Sequence, residues 1–175
     1  QLFPDRFRRC GEIVKKAGRI YHENWNETPV FLPDADGKVK NNDFFGGNFA
    51  GMAEKLDHIA ALGITAIYLN PVFEAYSNHR YDTGDYEKFD ETLGTKEDFK
   101  AFLQKAQDLG IRVIFDGVFN HTGADSRYFN KYGNYDSVGA YQSKDSPYYG
   151  WYRFIEFPDK YASWWGFDTL PAVNE

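Results

Sequence analysis

Twice along this 175-residue chain, an amphipathic helical pattern stops at a glycine and gives way to a short apolar run. Met52, Leu56, Ile59 and Ala60 recur at helical spacing, and Gly63 follows as a stop. Phe99, Phe102, Leu103, Ala106 and Leu109 repeat the pattern, with Thr95 placed to cap the start and Gly110 to end it. The runs after the glycines, Ile64 to Leu69 and Ile111 to Phe115, are continuously apolar. Such runs are expected of parallel strands buried on both faces. Leu2-Phe3 reads as the tail of an earlier strand. The order is then β-α-β-α-β, a right-handed parallel unit of the α/β class.

The connections are asymmetric. Each helix passes to the next strand through about one glycine, whereas each strand is followed by a long segment, roughly 4–49, 70–95 and 117–175. All elaboration therefore falls at the carboxyl ends of the strands. Stability does not ask for that; a functional face does. The third segment, rich in Tyr, Gly and Asp, reads as a small inserted subdomain, and Asp34 to Lys38 as a turn.

Composition narrows the partners. A hydrophobic share of 42%, a charged share of 26% and a net charge of -6 describe a globular chain and argue against nucleic acid. The apolar runs are too short to span a bilayer. The single cysteine, Cys10, excludes an intrachain disulfide and fits a reducing compartment, cytoplasmic rather than secreted, although many secreted enzymes also lack disulfides. The sequence opens at Gln1 without a signal-peptide pattern. Many of the 13 Tyr and 4 Trp lie in polar, Gly-rich stretches such as 146–152 and 163–166, either to pack loops or to stack on sugar faces.

Candidate chemistry gathers where the strands end. Asp116 follows Ile111–Phe115, and Asn120 and His121 come within six residues of it. An acceptor, an amide and an imidazole suit a polyhydroxylated ligand, although each taken alone could order a loop. After the second strand comes Ser77-Asn78-His79-Arg80-Tyr81-Asp82-Thr83. A polar surface turn explains Ser77 and Thr83 but not His79 and Tyr81, which read as a hydrogen-bonding partner and a stacking platform. No glycine-rich phosphate loop and no HExxH or CxxC zinc pattern occurs. Asp34–Gly37 resembles a fragment of a calcium loop without the distal Glu.

These segments resemble the α-amylase family of glycoside hydrolases, and within it the neopullulanase, cyclomaltodextrinase and maltogenic-amylase branch. The resemblance rests on Gln1–Phe7, Phe44–Gly51, Ile67–Phe73, Asn78–Thr83, Asp116–His121 and Leu170–Asn174, which follow one another in family order. It implies a partial TIM (β/α)8 barrel, about the first three strands and two helices, with an inserted domain B. The expected division is residues 1–121 for the first βα units and 122–175 for the domain B-like segment. It implies retaining cleavage of α-1,4 and in some substrates α-1,6 glucosidic bonds in maltodextrins, cyclodextrins or pullulan. Such cleavage uses two carboxylates about 5–5.5 Å apart.

The family's nucleophile Asp and acid/base Glu follow its fourth and fifth strands. None of the catalytic residues is therefore expected within this chain, and the chain alone is expected to be inactive. The resemblance makes Tyr81 a platform under the sugar, His121 a partner of its hydroxyls, Asp116 a supporting carboxylate, and Asn120 a substrate or calcium contact. His79 joins the substrate-binding set. No cofactor is required; calcium is disfavoured, because Arg8-Arg9-Cys10-Gly11-Glu12 lacks the branch's ligands and Asn48 stands where an Asp is common. Ala172 also replaces a common lysine. The expected partners are α-glucan oligosaccharides, neither nucleic acid nor membrane, together with further copies of the chain at exposed barrel edges. The alternative is an α-glucan-binding or scaffolding module without catalysis.

Overall fold

The computed structural model describes residues 1–174. In chain order its regular elements are β1 (Ile20–Tyr21), β2 (Asp43–Phe44), α1 (Phe49–Glu54), α2 (Leu56–Ala61), β3 (Ala66–Leu69), β4 (Phe73–Ala75), β5 (Thr83–Phe89), α3 (Lys96–Asp108), β6 (Arg112–Phe115), β7 (Phe154–Glu156) and β8 (Lys160–Tyr161). They fall into two compact units. The first comprises Gln1–Val72, Ser77–His79 and Phe89–Asp116; the second comprises Phe73–Tyr76, Arg80–Lys88 and the chain from Gly117 onward.

In the first unit, β3 and β6 pair in parallel, with Ala66 opposite Arg112 and Leu69 opposite Phe115. Leu2 bridges to Leu69 in the same sense, so the expected third strand is a single parallel bridge. The helix patterns packed against this sheet end as anticipated. Gly63 and Gly110 adopt φ of 78° and 69°. Gly63 N–H bonds to Ala60 O and Ile64 N–H to Ile59 O; Gly110 and Ile111 repeat this with Gln107 and Ala106. These are two Schellman closures, which glycine permits because it has no Cβ. They also explain why the strands begin at Ala66 and Arg112 rather than at Ile64 and Ile111. Ile64 and Ile111 spend their N–H groups closing the preceding helix.

Two expectations change here. The pattern from Met52 to Ala60 is two helices, divided at Lys55, whose N–H closes a tight bond to Met52 O at 3.1 Å. Met52, Leu56 and Ile59 still share one face and enter the core with Phe49, Ile67, Leu69, Leu93, Phe102 and Ala106. The apolar strands are not buried on both faces within the unit. Ile67 and Leu69 are buried, but Tyr68 and Phe115 are each 37% exposed and Ile114 is 50% exposed. The helices cover one side of the sheet only. At α3 the expected cap is present as a full capping box between Thr95 and Asp98.

The Phe44–Gly51 segment is explained by close chain approach. A Cβ on Gly47 would stand 2.0 Å from Pro4 O, and one on Gly51 2.0 Å from Arg8 O. Gly47 N–H reaches Asp5 O, while the buried Asp5 carboxylate accepts from the N–H groups of Phe45 and Gly46. Asn48 caps α1 by accepting from Gly51 N–H at 2.8 Å, and it also exchanges hydrogen bonds with the backbone of Cys10.

The second unit has an aromatic core. Tyr128, Phe129, Tyr152 and Tyr161 are buried with Ala124 and Ala140, and Tyr86, Tyr141, Tyr148 and Phe154 pack on them. Most of the tyrosines that sequence alone left open as sugar-stacking groups are therefore packing groups. β4 pairs with β5, and β7 with β8 in antiparallel fashion. Three isolated bridges, His121 to Ala172, Tyr152 to Val173 and Ser163 to Pro171, bind the end of the segment back to its start. Among the described residues, no helix is long and apolar enough to cross a membrane.

Candidate functional site

In the first unit the site residues are Asp116 and His79. Asp116 prolongs β6, its N–H donating to Leu69 O at 3.0 Å, and its side chain is half-buried. The Tyr68 hydroxyl hydrogen-bonds this carboxylate, and that bond is the main cause that raises the phenol above its ordinary range. Tyr68 therefore stays a donor that orients Asp116. Sequence reasoning treated Tyr68 only as a strand residue; its signal was alternation, which sends it to the face opposite Ile67 and Leu69.

His79 is held from behind. Its Nδ1 lies 3.0 Å from Ser77 Oγ. Asn78 donates through Nδ2 to both the carbonyl and the carboxylate of Asp43, at 2.9 and 3.0 Å, and through its backbone to Asn41 O. Ser77 and, in the second unit, Thr83 were expected on a polar surface turn. Both are buried, at 4% and 1% exposure. Hydroxyls that order a functional loop look in sequence like those of a solvated one.

The second unit brings Tyr81, Asn120 and His121 together. His121 is 3% exposed, with Nε2 3.1 Å from Tyr81 O and Nδ1 2.9 Å from Asn120 Nδ2. A carbonyl only accepts, so Nε2 carries the proton, and Nδ1 accepts from the Asn120 amide. Hydrogen bonding thus fixes one neutral tautomer. The Tyr86 hydroxyl donates to His121 O at 3.2 Å and to Val118 O, clamping the backbone of the loop. Burial pushes the Tyr86 phenol up to about 12, so it remains a donor at all ordinary pH. The imidazole also meets the Trp164 ring at 5.1 Å, and Trp164 stacks on Trp165 at 4.4 Å and 6°. Tyr81 is half-buried and Asn120 is exposed.

This arrangement offers hydroxyl-binding groups beside flat rings. Tyr86 and the Trp164 contact were not predicted. The Ser163–Gly166 segment was noted for its aromatics, but its placement beside His121 depends on the long-range bridge from His121 to Ala172. Arg80, fully buried and at φ 61°, also escaped the reading.

The family model described as alpha amylase, catalytic domain, matches residues 1–168. An amylopullulanase of Thermoanaerobacterium saccharolyticum is 45% identical over 99% of this chain and 15% of its own length. A cyclomaltodextrinase of Geobacillus thermopakistaniensis is 35% identical over 100% of this chain and 26% of its own length. Among solved structures, the cyclic α-maltosyl-(1→6)-maltose hydrolase of Arthrobacter globiformis aligns with a TM-score of 0.80 at 35% identity, covering 99% of this chain and 36% of that one. The chain thus spans between about a seventh and about a third of the length of these proteins. Its parallel strands are part of a (β/α)8 barrel, and among the described residues they form no closed sheet. The chain belongs to the α-amylase catalytic-domain family, in the branch that holds amylopullulanases, cyclomaltodextrinases and maltogenic amylases.

Proposed function

We propose that the protein carrying this chain is a glycoside hydrolase that cleaves α-1,4 glucosidic bonds in maltodextrins, cyclodextrins or pullulan, with α-1,6 bonds as a second target. The observation that carries the reading is the buried, tautomer-fixed His121 between the Tyr81 carbonyl and the Asn120 amide, with indole rings beside it. In this reading Tyr81 stacks under a glucosyl ring. His121, Asn120 and His79 bind hydroxyls, and Asp116, oriented by Tyr68, supports the nucleophile through an arginine. A sugar hydroxyl that reaches Nδ1 of His121 does so by displacing the Asn120 amide. The reaction is retaining, through a carboxylate nucleophile and a carboxylic acid/base about 5–5.5 Å apart. In this reading both lie outside residues 1–175, and the chain by itself is expected not to hydrolyse.

No calcium step enters this reading: Asn48 Oδ1 already accepts from the N–H groups of Gly51 and Cys10 and is not offered to an ion. The open side of the β3–β6 sheet, with Ile114 half exposed, favours association of isolated chains. Light scattering on residues 1–175 should find oligomers, and a uniform monomer would contradict that part.

The test of function incubates the full-length protein with maltoheptaose, β-cyclodextrin and pullulan and follows reducing ends. Hydrolysis of at least one is expected, and none of the three being cut would refute the assignment. The exposed indole of Trp165 favours a second reading, a glucan-binding module without chemistry. Calorimetric binding of maltotriose by a full-length protein that cuts nothing would select it. In either reading Tyr81→Ala should weaken maltotriose binding.

A further inference from the structure

Trp165 is the most exposed large hydrophobic residue of the described chain, at 81%. Its backbone is left-handed, at φ 51° and ψ 24°, which is unfavourable for any side chain with a Cβ and uncommon for a bulky one. Stability alone would put Gly or Asn in such a place. The indole is not loose. Its loop is fastened by Trp164 N–H to Leu170 O, Phe167 N–H to Trp164 O, Leu170 N–H to Phe167 O and the Tyr161 hydroxyl to Asp168 O, all between 2.7 and 3.0 Å. One face of the ring lies flat on Trp164, so the exposure belongs to the other face and the edge. Through Trp164 the stack continues to His121.

We infer that Trp165 is the outer plate of a sugar-binding stack that begins at His121, and that its open face receives a glucosyl unit of an α-glucan lying beyond the unit His121 contacts. A pyranose ring presents C–H groups on its faces and hydroxyls around its rim, which suits a flat apolar ring with a wet edge. A fixed indole binds with little further ordering, because its conformation is set by the loop before ligand arrives. Continuity with His121 makes a second glucosyl of the same oligosaccharide the occupant. Trp165 is thus a residue that sets preference for chain length, and this inference rests on the α-glucan reading of the site.

The experiment compares kcat/KM on maltotriose and maltoheptaose for the full-length protein and its Trp165→Ala, Trp165→Leu and Trp165→Tyr forms. The ratio of long to short substrate should fall about tenfold in Trp165→Ala and in Trp165→Leu, which is apolar but not flat, and should largely recover in Trp165→Tyr. The leucine form carries the comparison should the alanine form not fold. An unchanged ratio, or an equal fall with Leu and Tyr, overturns the inference while leaving the α-glucan reading in place. A wild-type protein that neither binds nor cuts α-glucans removes that reading, and the inference falls with it.

Discussion

Replacing Asp43 with alanine tests whether one buried carboxylate ties the first unit together. Its side chain is 2% exposed and receives Arg6 Nη2, His22 Nε2 and Val30 N–H at 3.1 Å each and Asn78 Nδ2 at 3.0 Å. The four donors do not lose equally. Arg6 keeps Asp5, Asn78 still reaches the Asp43 carbonyl, and Val30 lies where water can replace the acceptor. His22, 7% exposed, keeps only Glu27. Removing one partner of a buried ion pair costs 3–5 kcal/mol, and the surviving contacts put this case at the lower end, about 3 kcal/mol. Asp43→Asn retains one acceptor but turns an amide toward donors, so about 2 kcal/mol is expected. Urea unfolding of the full-length protein measures both, provided the slope is unchanged. Because Asn78 adjoins His79, amide exchange at 77–79 should also quicken in Asp43→Ala. A loss below about 1 kcal/mol would refute the assigned role, as would unchanged exchange there.

Gly47→Ala and Gly51→Ala push a Cβ to 2.0 Å from a backbone carbonyl, and each should cost more than about 2 kcal/mol. Gly11→Ala, at φ 71° with no atom within 4 Å, should cost about 1 kcal/mol, so thermal melts that fail to separate Gly11 from the other two would contradict the close-approach account. Thr95→Ala removes a capping box and should lose about 1 kcal/mol, with exchange rising in the first turn of α3. The Asp98 carboxyl is held below its usual range chiefly by the Thr95 backbone N–H; that contribution is present above the ordinary carboxylate pKa and fades as pH falls through the lowered one. Tyr86 runs the other way. Burial raises its phenol to about 12, so its contribution is complete below about pH 10 and is lost as pH climbs through 12; burial holds the Tyr135 and Tyr152 phenols higher still, so ultraviolet titration should show several late phenols, of which Tyr86→Phe removes one.

The frame was legible because its signals are local. A glycine after each apolar stripe announces a Schellman closure, and Thr95 with Asp98 announces a cap, within a few residues of sequence. The site was legible only in part. Asp116, Asn120 and His121 stand together in the chain, and the pairing of Asn120 with His121 is local. The contact from His121 to Tyr81 O spans 40 residues, and Tyr86 to Val118 O spans 32. Nothing in an alternating pattern tells which carbonyl a tyrosine will reach. The aromatic stretches stayed ambiguous for a related reason. Tyr148, Tyr152 and Tyr161 occur among polar residues, yet a small subdomain with little aliphatic content must build its core from rings.

The way His121 is held decides what a substitution at Tyr81 can report. The imidazole takes its Nε2 bond from the backbone carbonyl of residue 81, not from the phenol ring. Its Nδ1 bond comes from Asn120, its carbonyl is clamped by Tyr86, and its strand partner is Ala172. Removing the Tyr81 side chain therefore leaves every one of these contacts available. A loss of maltotriose binding in Tyr81→Ala then measures the ring as a platform rather than a displaced histidine. Asn120→Ala has the opposite character. It removes the Asn120 bond to Nδ1 and so alters the hold on the tautomer of His121 itself, so its effect on binding should depend on pH, whereas that of Tyr81→Ala should not. Equal pH profiles for the two variants would mean that the backbone does not hold His121 independently of its neighbours.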